Sequence, residues 1–387
     1  MTTALVGARI LTPDEEIERG TVLIEGGLIA AVGPEVRPPP GAQVSELPNL
    51  TLAPGFIDLH VHGGGGFSLA TTDPEEIRAY ARWAATKGVT SFLASVYGDK
   101  VDSAAACLQT VARVAGPMEG GANLLGAHLE GPFLNPKRRG ALPRRWLCPP
   151  DVALLGRFVE AAGGHLRVLT LAPELSGAGD LLAAACAEAI VVALGHSDAT
   201  YEQAQAAVQA GASHVTHAFN AMRPFHQREP GLLGAALESP HVTLELIADG
   251  VHVHPSAARL LVRAAGPARV ALVTDAVPPA GLSEGSFGIG RRRAHMSAGR
   301  VLLPDGTIAG SAITMDAAVR NAVGWGLAGL GDALRMASSV PARVLGLDHR
   351  QGRIAPGYDA DLVALDEELE PVMTWVGGRL VHFWPKG

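Results

Sequence analysis

The chain has 387 residues, 48% of them hydrophobic, with 31 basic against 38 acidic side chains and a net charge of −7. That length provides interior for one large or two ordinary domains. A charged fraction of 18% excludes a disordered chain, and the mild acidity excludes a nucleic-acid surface, which needs clustered positive charge. Cys107, Cys148 and Cys186 are far apart and form no CxxC, so neither a disulfide framework nor a cysteine zinc site is expected. The opening MTTALVGARILTPDEE has no basic stretch and turns acidic early, so no secretory leader is expected. Apolar runs such as LLAAACAEAIVVALGH are broken by Glu188 and are too short to span a bilayer. The expectation is a cytoplasmic protein that binds neither membrane nor nucleic acid.

In chain order, residues 4–11 and 21–32 read as strands, the second interrupted by a hairpin signal at Glu25-Gly26-Gly27. Between residues 55 and 347, strand-like runs alternate with helix-like ones. The strand-like runs are 55–62, 89–97, 123–130, 166–172, 190–196, 213–219, 242–248 and 270–275. Helix-like stretches at 74–88, 151–163 and 201–211 end on glycine, as C-caps do. Eight β-then-α units predict an α/β fold, a (β/α)8 TIM-like barrel. A doubly wound sheet is the competing reading, but no GxGxxG opens a helix in the right place. Residues 361–365 form another short strand, and Gly377-Gly378 marks a second hairpin between 372–376 and 379–383. Neither terminal β segment can hold a core alone. They are expected to pair as one small β-sandwich domain from residues 1–54 and 348–387, around a barrel of 55–347.

In such a barrel, catalytic groups sit at the C-terminal ends of strands. There the sequence places His60 and His62, Glu130, His196, His217, His252 and Asp275. The i, i+2 spacing of His60 and His62 puts both imidazoles on one face of a strand, where they can share a metal. Two polar residues at a loop start are the plainer alternative. In PGFIDLHVHGGGG, Asp58 shares their parity and the glycines leave the mouth clear of side chains. Glu130 follows the apolar run ANLLGA, where an unpaired carboxylate is costly. It is either ion-paired to an arginine or a metal ligand converging with His196 and His217. His128 is expected one layer down as a hydrogen-bonded residue, and His214 as a structural one. Asp275, in ALVTDAV, is placed as general base to water and then general acid, or as the N-cap of the next segment.

This order of groups, with the returning segment GRIAPGYDADLVALD, resembles the amidohydrolase superfamily. Within it, HLEGPFLNPKRRGA, GHSDA, HAFNAM, REPGL, ADGVH, TDAVPPAG and GSAITM together resemble the N-acetylglucosamine-6-phosphate deacetylase family over nearly the whole chain. The resemblance implies removal of the acetyl group from an amino-sugar phosphate by metal-activated water, with Asp275 moving the proton. It implies one or two divalent ions, zinc first, with iron, cobalt or manganese as alternatives. One ion would be held by His60, His62 and Glu130, the other by Glu130, His196 and His217. Glu130 would bridge in place of a carboxylated lysine, since Lys87, Lys100, Lys137 and Lys386 all lie outside the fourth strand. Asn220, Ala221, Arg228 and His252 would contact substrate. Arg228 would reach it from a neighbouring subunit, hence a homodimer. Where relatives often carry a histidine to polarise the acetyl carbonyl, this chain has Leu142, which can donate nothing. Action on another N-acyl amino-sugar phosphate or a cyclic amide, and a non-catalytic sugar-phosphate sensor, are the competing readings.

Overall fold

The structure, a computed structural model, describes residues 2–12, 15–290 and 292–384. Eight parallel strands follow one another around a barrel: Phe56–Asp58, Val89–Val96, Asn123–Glu130, Leu166–Leu171, Val191–Leu194, His214–Val215, Thr243–Ile247 and Val270–Val273. Each forms ladder bonds only with the strands next to it in sequence, so there is no switch point of the doubly wound kind. The first and eighth strands close the barrel at its mouth through a few bonds rather than a ladder. Thr274 Oγ1 donates to Asp58 Oδ2 at 2.6 Å, Asp275 N to the His60 carbonyl at 2.7 Å, and His62 N to the Ala276 carbonyl at 2.8 Å. Asp58 thus faces the closing seam and not the mouth. Burial pushes its carboxyl up to about 7 against the pull of the Thr274 bonds.

The strands are buried on both faces because helices cover them outside and side chains fill them inside. Phe56, Phe92 and Leu93 are fully buried, each contributing about 1.5–3 kcal/mol of transfer free energy. Gly55 starts the first strand because a Cβ there would lie 2.1 Å from Thr90 Cγ2. The helices carry their own start signals. Asp73 accepts from Glu75 N ahead of Pro74–Ala85, Asp151 from Leu154 N ahead of Val152–Ala162, and Thr200 and Gln203 form a capping box at Tyr201–Gln209. Such caps contribute about 0.5–2 kcal/mol each. Gly163 ends the second of these at φ 53°, a left-handed position that glycine takes without strain.

Both chain ends enter one eight-stranded sheet, in which Leu362–Leu365 runs antiparallel to Thr51–Pro54. The hairpins fall at Gly26-Gly27 and Gly377-Gly378, all four at positive φ. Ala360 bridges the two tips, donating to the Gly27 carbonyl at 2.8 Å and accepting from Gly378 N at 2.9 Å. The sheet therefore bends over a core of its own, including Leu5, Ile24, Leu52 and Trp375. The small β-layer expected of the termini is one continuous ladder folded on itself.

One layer was not anticipated. Between the eighth strand and the last helices, Gly285–Ile289, Arg292–Ser297, Arg300–Leu302 and Ile308–Ser311 form an antiparallel sheet beside the mouth. It packs on Val277 through Ile289, Met296 and Val301. Among the described residues no helix is long and apolar enough to cross a membrane.

Candidate metal centre

Six side chains meet at the mouth, all of them buried: His60, His62, Glu130, His196, His217 and Asp275. Glu130 is the hub. Its Oε1 lies 2.9 Å from His196 Nε2, 3.4 Å from His217 Nε2 and 3.6 Å from His60 Nε2, and its Oε2 lies 3.4 Å from His62 Nε2. Asp275 Oδ1 closes the other side, 3.4 Å from His62 Nε2 and 3.6 Å from His60 Nε2. Three sets of ligand atoms among the described residues are compact enough for an ion, and two of them face the mouth: Glu130 with His196 and His217, and His60 with His62 and Asp275; the third, His60 with His128 and Glu245, lies behind the His60 ring. The second set exchanges the Glu130 of the sequence reading for Asp275, with Glu130 Oε2 still within reach of His62.

The backbone at these positions is strained. His196, His217 and Asp275 have φ of 48°, 30° and 45°, left-handed values that cost a non-glycine residue about 1–3 kcal/mol each. The surroundings hold them there. Asn135 N donates to the His196 carbonyl at 3.0 Å, and Ser311 N to the Asp275 carbonyl at 2.8 Å. Glu245 Oε2 accepts from His217 N at 2.9 Å.

The donor chemistry fits divalent cations. His62 Nδ1 bonds the Ser95 carbonyl at 3.1 Å and His196 Nδ1 the Arg138 carbonyl at 2.8 Å. Carbonyls only accept, so these Nδ1 atoms carry the proton, and in the neutral rings the Nε2 lone pairs face inward. His60 Nδ1 lies 2.9 Å from Glu245 Oε2, which sets the same tautomer. Inside, His60 and His62 Nε2 are 3.3 Å apart, and His196 and His217 Nε2 are 3.0 Å apart. Lone pairs converging so closely on two buried carboxylates call for positive charge between them.

Proton affinities point the same way. Burial pulls the His60 and His62 rings down, but the surrounding carboxylates outweigh it. Glu245, Asp275 and Glu130 raise His60 to about 9, and bonds to Asp275 and Glu130 hold His62 well above the usual imidazole range. Burial raises the Glu130 carboxyl, yet His196, His217 and His62 hold it well below the carboxylate range. Asp275 is likewise raised by burial and brought below its ordinary value by His60 and His62. A divalent ion satisfies this field by displacing protons.

Beside the cluster lies a cavity of about 270 Å³. Asn220, Ala221, His252, Leu142, Tyr97 and Arg292 line it together with Glu130 and Asp275. Asp249 Oδ2 lies 2.6 Å from His252 Nδ1, and this bond outweighs burial and raises the ring. Asn220 Nδ2 donates to the Ala218 and His217 carbonyls at 3.1 and 3.3 Å, which orients the amide. A larger cleft of about 590 Å³ between the terminal sheet and the last helices is lined by Arg9, Arg335 and Arg343, without converging histidines.

Of the residues the sequence suggested, Arg228 stands apart: it is exposed and does not line this cavity. The glycines after His62 serve packing and not clearance. A Cβ on Gly64 would lie 2.2 Å from the Trp83 indole, and one on Gly65 2.5 Å from it. His128 sits one layer below, bonded to Thr170 Oγ1 at 2.7 Å and Ser95 Oγ at 3.3 Å; burial first, and then the neighbouring His60 charge, push its ring down to about 3. Sequence reasoning missed Glu245 and Arg292. Glu245 was detectable as a lone acid inside the apolar run VTLELIA, the argument applied to Glu130. Arg292 depended on the unanticipated hairpin sheet. It donates to the Ala141 carbonyl, next to Leu142.

A buried histidine–carboxylate cluster at the C-terminal mouth of an eight-stranded barrel defines a barrel enzyme that uses divalent metal. The model of the amidohydrolase family matches residues 51–381. The chain belongs to that family. It is 36% identical over 375 residues to the N-acetylglucosamine-6-phosphate deacetylase of Bacillus subtilis (strain 168), covering 96% of this chain and 95% of that protein. It is 37% identical over 383 residues to the N-acetylgalactosamine-6-phosphate deacetylase of Escherichia coli O157:H7, covering 99% and 100%. The crystal structure of N-acetyl-D-glucosamine-6-phosphate deacetylase from Mycobacterium smegmatis superposes with a TM-score of 0.91 at 36% identity, covering 98% of this chain and all of that one.

Proposed function

We propose that this chain hydrolyses N-acetylglucosamine 6-phosphate to glucosamine 6-phosphate and acetate. The observation that carries the reading is the convergence of four imidazole Nε2 atoms on Glu130 and Asp275 at the edge of a cavity that Asn220 and His252 also line. Glu130, His196 and His217 would hold one ion, and His60 and His62, with Glu130 or Asp275, a second. Zinc is the ion we assign, and iron, cobalt and manganese suit the same donors. When bound, such ions polarise an acyl oxygen and acidify water.

The remaining steps belong to the chain. Asp275, held below the ordinary carboxyl range, is ionised at neutral pH and takes a proton from the attacking water. As the C–N bond breaks, the same oxygen returns that proton to the departing nitrogen, giving acetate and the free amine. His252, fixed by Asp249, and Asn220, fixed on two carbonyls, orient the sugar phosphate. Arg228 lies outside the cavity of its own chain, so its pairing with phosphate needs a second copy, and we assign a homodimer. The fourth strand, Leu166–Leu171, contains no lysine, so Glu130 would be the carboxylate within reach of both ions, and the cyclic-amide reading is disfavoured.

The test is amine release from N-acetylglucosamine 6-phosphate, its galactosamine epimer and unphosphorylated N-acetylglucosamine, with and without chelator. Chelator-sensitive turnover, fastest on the glucosamine phosphate, is expected. Faster turnover of the epimer reassigns the sugar, and no release by metal-loaded protein refutes the reading.

A further inference from the structure

Glu245 lies in the middle of the seventh barrel strand and is fully buried. It touches three groups around the centre. Oε2 lies 2.9 Å from His60 Nδ1 and accepts from His217 N at 2.9 Å, while Oε1 lies 3.1 Å from His214 Nε2. Its carboxylate thereby ties the first strand to the sixth, from below the metal-facing atoms. The four converging imidazoles are not supported alike. His62 and His196 rest on neutral carbonyls, and His217 Nδ1 has no hydrogen-bond partner. Of the four, His60 alone has a carboxylate behind it. A carboxylate behind a ligating imidazole fixes its tautomer and makes its inner nitrogen a stronger donor.

We propose that Glu245 is the positioning residue that makes the His60–His62 side of the centre a metal half-site. The proposal rests on the reading that the cluster binds divalent ions. Without the Glu245 charge, His60 has a weaker Nε2 donor, and the half-site that depends on it loses affinity. The Glu130–His196–His217 half keeps the Arg138 carbonyl behind His196, and its one bond to Glu245, from His217 N, needs only an acceptor oxygen and not a charge.

E245Q isolates this effect. With its amide oxygen at the Oε2 position, glutamine still accepts from His60 Nδ1 and His217 N. Its amide nitrogen then faces His214 Nε2. His214 Nδ1 has no partner, so that ring can move its proton to Nδ1 and accept. The variant therefore removes charge with little steric change.

Metal-free protein is titrated with Zn²⁺ against a competing chelator at pH 8, with ions per chain counted by elemental analysis. Wild type is expected to bind two ions. In E245Q the weaker ion should bind about 10–100-fold less tightly, while the tighter ion stays within about threefold. E245D keeps the charge and should fall between the two; if E245Q does not fold, E245D against wild type carries the test. H60N should lose the weaker ion, and adding E245Q to it should change nothing further. Two ions bound as in wild type by E245Q, or equal loss of both, overturns the role of Glu245 alone. Wild-type protein that binds no ion overturns the proposed function as well.

Discussion

Replacing Asp275 by asparagine should remove the proton carrier and leave the architecture standing. The side chain is about the same size, and the left-handed backbone at φ 45° is one that asparagine tolerates. Its main-chain bonds to His60 and Ser311, at 2.7 and 2.8 Å, do not involve the carboxylate. On the proposed mechanism the lost function is the transfer from water to nitrogen, for which a positioned acid–base group contributes about 10²–10⁴-fold. At about 1.4 kcal/mol per decade, the barrier should rise by about 3–5 kcal/mol. KM should change less than about threefold, since Asn220 and His252 are untouched, so the loss should appear in kcat. The assay is steady-state amine release by D275N with zinc content measured on the same sample. The ion held by Glu130, His196 and His217 should remain. Turnover within tenfold of wild type, with metal retained, would refute Asp275 as the proton carrier.

Two further outcomes follow from geometry away from the reacting atoms. Burial, offset in part by the Gly377 amide at 2.7 Å, raises the Asp361 carboxyl to about 7, so the folded state binds a proton that the unfolded chain has released above about pH 4. Stability from this group is present in acid and lost as pH rises to about 7; relative to D361N, whose amide oxygen still accepts from Gly377, wild type should lose about 2–3 kcal/mol between pH 5 and 8 in urea unfolding. Parallel stability curves for the two proteins would contradict this. In mixed dimers of R228A with D275N, one of the two sites is rebuilt with an intact Asp275 and a neighbour's Arg228, so mixing should restore activity that neither variant shows alone. No recovery on mixing would remove the shared-site dimer.

Periodicity and punctuation were legible in the chain. Eight apolar runs separated by capped helical stretches predicted eight strands, and each predicted run contains one. Local chemistry decides such features: Asp151 and Gly163 start and stop a helix, and Gly26-Gly27 turns a hairpin, whatever lies elsewhere. The strand-end histidines and acids were legible too, since an ionisable group at the end of a buried strand needs a partner. Support across the barrel was not. Nothing next to His60 in sequence reveals that Glu245, 185 residues away, lies behind its ring. The hairpin sheet that brings Arg292 to the cavity has no counterpart in a β-then-α count, and the position of Arg228 outside its own cavity depends on how the loop after the sixth strand folds. Residue types and spacings thus determined the barrel, its small terminal sheet and the candidate ligands, because each follows from backbone preference or burial cost within one segment. Tertiary structure alone decided which lone pairs face one another and which carboxylate stands behind them, because those depend on closing a barrel whose first and eighth strands meet more than 200 residues apart.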